Sequence, residues 1–182
     1  EDTLYPNANG TFQQFSVKDS TATGRHWTSV DEVDGSADTG TYVYLTGGDE
    51  ADYYETENLE SFDYTYSIID SVKIHVRGKK TGVTTSPSFY WYDGTTAVTG
   101  GEIAITTSYA DSYEKRTTNL TGGAWTSTNL NNLQAGLYIN AGVGTGTVYI
   151  TQINVHVYFT VSVAANKPHT ITQGITSGGI TK

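Results

Sequence analysis

The sequence predicts an all-β fold: a single antiparallel β-sandwich of jelly-roll type, with one short crossover helix and an extended C-terminal strand. Three observations lead there. Thr, Ser, Gly and Tyr are abundant while charged residues make up only 16% of the 182, a composition that favours pleated strands over helices. Apolar and aromatic stretches recur about every ten to fifteen residues, with Gly, Asn and Asp between them. The longest of these stretches alternate with period two, the spacing at which side chains point to opposite faces of a strand.

The elements follow in order. Residues 11–17 form a first strand anchored by Phe12 and Phe15, and 25–30 a second around Trp27. The run 41–45 is a compact strand closed by Gly47-Gly48. Residues 51–59 are acidic and aromatic, a short strand or irregular crossover. In 64–76 the second half alternates: Ile74 and Val76 point one way, and Lys73, His75, Arg77 and Lys79 the other. The strand 88–92 meets Asp93-Gly94, a pair that tolerates the positive φ of a tight hairpin. Further strands are expected at 97–98, 103–106 and 112–119.

The helix is expected over 126–135. Thr126 is its N-cap, Trp125 and Leu130 have the spacing of a hydrophobic staple, and Gly136 is placed to close it. Strands 137–141 and 148–163 complete the domain. In the last, Val148 and Ile150 lie on even positions and Ile153, Val155, Val157, Phe159, Val161 and Val163 on odd ones. That change of phase near Thr151-Gln152 predicts a bulge, because a one-residue slip would otherwise turn the apolar set outward.

Residues 1–163 are thus read as the sandwich and 164–182 as a tail beyond it. The tail is β-prone, low in charge and marked by Ile171, Ile175 and Ile180. Strand addition to another subunit's sheet edge gains backbone hydrogen bonds and side-chain pockets. The main expectation is therefore a non-catalytic structural subunit of an extracellular, pilus-like filament, in which copies of the chain exchange this donor strand. A head-to-tail contact of that kind does not close, so it propagates. A disordered terminus is the plain alternative.

Charge is unevenly placed. Residues 1–63 carry 14 acids and two bases, a balance of −12, and the remainder eight bases and five acids, or +3, which together give the net −9. An acidic chain argues against nucleic acid as a partner, since that binding neutralises phosphates. Cysteine is absent, so disulfides and thiolate metal sites are excluded. No apolar run reaches the ~20 residues of a membrane span. The chain has no methionine and begins at Glu1, which is read as cleavage of a secretory leader and places the chain at the cell surface or on a virion. Two sequons, at Asn9 and Asn119, are candidate glycosylation sites.

For chemistry, Asp31, Glu32, Asp34 and Asp38, with Asp49, Glu50 and Asp52, form loop clusters of hard oxygen ligands suited to Ca2+. Solvated acidic loops are the plainer account. The four histidines, His26, His75, His156 and His169, lie on different elements, and no nucleophile motif is present. His75 and His156 are expected to be solvated on a strand face. Tyr42, Tyr44, Tyr53, Tyr54, Tyr90, Trp91 and Tyr92 offer a stacking platform for sugar rings, with Tyr90, Trp91 and Tyr92 at its centre, or simply the amphipathic cover of a sandwich.

Four segments, DTLYPN at 2–7, VKIHVRGKKTG at 72–82, WTSTNLNNLQAGL at 125–137 and VYITQINV at 148–155, resemble in their order a jelly-roll-like β-sandwich module of phage virion proteins and of secreted structural proteins known from environmental sequences. The resemblance implies a structural role on a particle or cell exterior and supplies no catalytic residue. A phage virion decoration or fibre domain is one alternative to the filament. A carbohydrate-binding module is the other.

Overall fold

The computed structural model describes residues 1–18, 26–31, 40–46, 53–62, 67–82, 86–140 and 144–161. Among them run strands β1 (Asp2–Leu4), β2 (Pro6–Gln13), β3 (Ser16–Lys18), β4 (Tyr42–Thr46), β5 (Tyr53–Leu59), β6 (Ser67–Thr81), β7 (Ser88–Tyr92), β8 (Ala97–Glu102), β9 (Ala110–Arg116), β10 (Gln134–Ile139) and β11 (Thr147–Val161), with helix α1 at Ser127–Asn131. Every pairing is antiparallel.

Two sheets result. Sheet A has the order β3-β4-β11-β6-β9, with β1 also on β11, and sheet B the order β2-β5-β10-β7-β8. From β4 onward the chain alternates between them, apart from the β7–β8 hairpin. The four-strand orders β4-β11-β6-β9 and β5-β10-β7-β8 are those of a jelly roll. The all-β sandwich expected from the sequence is therefore the fold.

Alternation puts the apolar set between the sheets. Val72, Ile74, Val76, Val148, Ile150, Ile153, Val155 and Val157 are fully buried on sheet A. They face Phe89, Trp91, Ala135, Leu137 and Ile139 of sheet B. The phase change in β11 is a register shift between Ile150 and Gln152 against β6, at the position where the sequence changes parity. The Asp93-Gly94 turn joins β7 to β8, with Gly94 at φ 89°.

Three sequence expectations are corrected. Residues 25–30 were expected as a strand, yet Trp27–Ser29 is a 3₁₀ turn. β4 and β1 already occupy the edge of β11 at 147–150 and 155–157, so only the Asp31–Gln152 bridge and the Ile153 N–H to Val30 carbonyl bond remain for this segment. Residues 103–106 bend rather than extend: Ile103 and Ile105 are both buried, with the Ile105 N–H on the Ile103 carbonyl at 2.8 Å. The helix is shorter than expected, because Gly136 is not its cap but a central residue of β10, paired with Thr56 on one side and Tyr90 on the other. Thr126 does cap it, in a reciprocal box with Asn129. Among the described residues no helix is long and apolar enough to cross a membrane.

Candidate functional site

The tyrosines do not share one platform. Cross-strand partners lie on the same face of a sheet, and Trp91 pairs with Ala135 while Tyr90 pairs with Gly136. Trp91 therefore points into the core, 0% exposed, and cannot stack on a ligand. Burial of a side chain this large stabilises the fold by more than ~2 kcal/mol, and its indole N–H is satisfied by Glu114 Oε1 at 2.7 Å. Tyr90 and Tyr92 point outward. Tyr42 and Tyr44 lie on the other sheet, against Tyr149. Of Tyr53 and Tyr54 only the backbone is described.

On the outer face of sheet B, Tyr90 and Tyr138 lie with ring centroids 6.4 Å apart. Phe12 meets Tyr90 and Tyr92 edge-on at 6.0 and 5.3 Å. Gly136 is the direct partner of Tyr90, so the centre of the face carries no side chain of its own. Phe12 reaches this place because β2 is irregular between Asn9 and Gln13. The chain there is tied down by amides: Thr11 N–H donates to Gln134 Oε1 at 2.7 Å, Phe12 N–H to Thr56 Oγ1 at 3.1 Å, and Gln13 Nε2 to the Thr56 carbonyl at 2.6 Å. Thr56 Oγ1 also donates to Gln134 Oε1. The result is an aromatic cluster in which Phe12, Tyr92 and Tyr138 are half-buried around a buried Tyr90, 7% exposed, with the half-buried Gln134 amide at its edge, a mix that suits a ligand with apolar faces and polar rims. Phe12, Gln134 and Tyr138 were not picked out from the sequence as parts of it; their phase with Tyr90 and Tyr92 emerges only with the register.

A second group of polar residues is internal. Glu55 and Glu57 pair with Leu137 and Ala135, so both point between the sheets, and both are 0% exposed. His26 Nδ1 lies 2.6 Å from Glu55 Oε1, and the Phe15 N–H donates to Glu55 Oε2 at 3.1 Å. Burial pushes the Glu55 carboxyl up to about 8, against that backbone hydrogen bond. Burial and then the neighbouring Glu55 push Glu57 up to about 10. Burial likewise lowers the His26 imidazole. This pair of acids is sealed from any substrate, so its setting is that of a structural core and not of glycoside hydrolysis. The signal was present in the phase of Glu55, Glu57 and Leu59, which share one parity on β5.

His75 and His156 do face outward, yet they are only 2% and 7% exposed, which corrects the expectation of solvated imidazoles. His75 Nε2 lies 3.0 Å from Asp111 Oδ1 and its ring is stacked on Tyr113. His156 Nδ1 lies 3.0 Å from Glu1.

Of the acidic clusters, Asp31 sits beside Gln152, and burial raises its carboxyl. Glu32, Asp34, Asp38, Asp49, Glu50 and Asp52 lie outside the described residues, as do His169 and the tail with Ile171, Ile175 and Ile180. Among the described residues no group of three or more His, Asp or Glu is placed to hold a metal ion. Asn119 is engaged within its own turn: its Oδ1 accepts from Thr121 and Gly123, and its Nδ2 donates to the Ala124 carbonyl and to Asn129. Asn9 Oδ1 accepts the His26 N–H at 2.9 Å.

No family model matches the chain and no curated protein does, so the resemblance to phage virion proteins finds no support. Solved structures do match. One, determined with a xylogluco-oligosaccharide, is 13% identical and covers 86% of this chain with a TM-score of 0.48. The N-terminal cellulose-binding domain of the β-1,4-glucanase C of Cellulomonas fimi is 15% identical, covers 72% of this chain and scores 0.41. A third, described as domains CD of its protein, is 17% identical, covers 66% and scores 0.45. The chain spans 55% of that third structure and 39% of the first. Two of these structures are described with a carbohydrate, a xylogluco-oligosaccharide and cellulose, and none with a filament or a virion, so the expectation of a filament built by donor-strand exchange is corrected and set aside.

Proposed function

We propose that the domain is a non-catalytic glycan-binding module that holds an uncharged polysaccharide on the outer face of sheet B. The observation that carries this reading is the cluster of Phe12, Tyr90, Tyr92 and Tyr138 beside Gln134. A pyranose ring has C–H groups on its faces and hydroxyls on its rim. Tyrosine rings match the former, and amides and hydroxyls match the latter. Of the described strand residues on this face (Thr56, Asn58, Gln134, Tyr138, Ser88, Tyr90, Tyr92, Ala97, Thr99 and Glu102), one is charged, and it is an acid: Glu102, opposite Ser88 on the outermost strand β8. That supports a neutral glycan over an acidic one. A location outside the cell goes with this reading, since that is where such polymers are met.

The test is native electrophoresis through gels containing soluble neutral β-glucans, xyloglucan among them. The domain should be retarded, and the Tyr92→Ala and Tyr138→Ala variants should migrate as in a blank gel. Unretarded wild-type protein across neutral glycans would remove the reading.

A further inference from the structure

The outer face of sheet A differs in kind. Lys73 and Lys115 are direct cross-strand partners on β6 and β9, a placement of like charges that costs stability. Neither forms an ion pair among the described residues. Both are held on aromatic rings instead. Lys73 Nζ lies 4.7 Å from the centroid of Tyr113 and 5.4 Å from that of Tyr158, and Lys115 Nζ lies 5.1 Å from Tyr158. Cation–π contacts of this sort fix an ammonium in place without neutralising it.

Protection of a sheet edge by lysine accounts for Lys115, because β9 is the outermost strand, but not for Lys73, because β6 is flanked by β11 and β9. The nearby carboxylates are already engaged. Asp111 is shared between Arg77, at 2.8 Å, and His75, at 3.0 Å. Glu1 is taken by His156 at 3.0 Å. Tyr113 is 55% exposed, with His75 stacked on its ring and the Lys73 ammonium over it. Lys73 lies in the field of the Glu1 carboxylate, which it helps His156 to hold ionised, but neither ammonium has a carboxylate within ion-pair distance among the described residues. Two such ammoniums beside an exposed ring complement one kind of partner: an anion that also has a ring.

We propose that this face is a second binding surface, for an acidic polysaccharide whose sugar rings bear carboxylate or sulfate groups. Lys73 and Lys115 take the anionic group and Tyr113 takes the ring. The surface is separate from the sheet B cluster and does not depend on it. A nucleic acid would need a longer basic track than these two lysines supply.

Affinity electrophoresis at low salt in polygalacturonate and in dextran sulfate tests it, with uncharged dextran as the blank. The wild type should be retarded in at least one acidic gel. The Lys73→Gln/Lys115→Gln variant should bind at least ten-fold more weakly while melting at the wild-type temperature or above it, since a like-charge contact is relieved. Tyr113→Ala should weaken glycan binding but leave the response to inorganic polyphosphate unchanged, and Tyr92→Ala should leave both unchanged. Mobility unaffected by either acidic glycan would overturn the proposal. So would retardation that survives the double lysine variant, or polyphosphate or single-stranded DNA binding tighter than both glycans. Should the double variant fold poorly, Lys115→Gln alone, on the exposed edge strand, gives the same reading.

Discussion

The indole N–H of Trp91, on β7 of sheet B, donates to Glu114, on β9 of sheet A, at 2.7 Å. The other oxygen of the same carboxylate accepts the Gly101 N–H from β8. One side chain thus closes the sandwich along the edge where β8 and β9 face each other, and Arg116 lies over the Trp91 ring at 5.8 Å.

Glu114→Ala removes the acceptor and leaves a buried indole N–H without a partner. A loss of that kind costs roughly 1–3 kcal/mol. Chemical denaturation should show a lowered midpoint of that size with an unchanged slope, and neutral-glycan binding should persist because Tyr92 points to the opposite face. A midpoint equal to the wild type would mean that the bond contributes nothing.

Stability should fall on the alkaline side. The Glu55 and Glu57 carboxyls, ordinarily near 4.5, are raised to about 8 and about 10 in the fold. A folded state that keeps protons the unfolded chain releases is fully favoured below about 4.5 and loses that advantage as pH rises toward those values. His26 acts on the acid side. Its imidazole is lowered by burial, so the fold resists its protonation and loses stability as pH drops below 6.5. Melting temperatures at pH 5, 7 and 9 should therefore decline from 7 to 9 in the wild type. Glu57→Gln, which cannot ionise, should flatten that decline. An equal decline in the variant would assign the alkaline loss to other groups.

Gly136→Ala should be severe. A Cβ at this position would overlap the carbonyl oxygen of Glu55 and crowd Thr56 on the neighbouring strand. Backbone rather than a flexible side chain is the obstacle, so β5 and β10 must separate, a strain of ~1–3 kcal/mol or more. Circular dichroism melts should drop by several degrees or show no folded baseline. Because Gly136 also underlies Tyr90, a folded variant should bind neutral glycans more weakly. A melt matching wild type would mean that the strands separate freely.

Much of this fold is legible in the residues because alternation is a local property. Ile74 and Val76 against Lys73, His75 and Arg77, the parity change at Thr151-Gln152, and the Asp93-Gly94 turn each fix one face or one bend without knowledge of the partner strand. The proposed binding face was legible only in part. Tyr90, Trp91 and Tyr92 are consecutive, and a strand must send the middle one to the other side, so a platform of all three was never available to one sheet. Phe12 and Tyr138 join Tyr90 through register over more than 40 residues of sequence on either side, which spacing along the chain does not encode. The buried acids were missed for a different reason. Residue type argues for solvent, and only the desolvated setting beneath β2 and His26 shows that protonation, not exposure, makes Glu55 and Glu57 tolerable.

The most direct test of the glycan-binding reading is an NMR titration of the labelled domain with a neutral β-glucan oligosaccharide. Shift changes should gather on Phe12, Gln134, Tyr90, Tyr92 and Tyr138 and leave Lys73, Tyr113 and Lys115 still. Spectra that stay unchanged at millimolar sugar, or changes centred on sheet A, would contradict it.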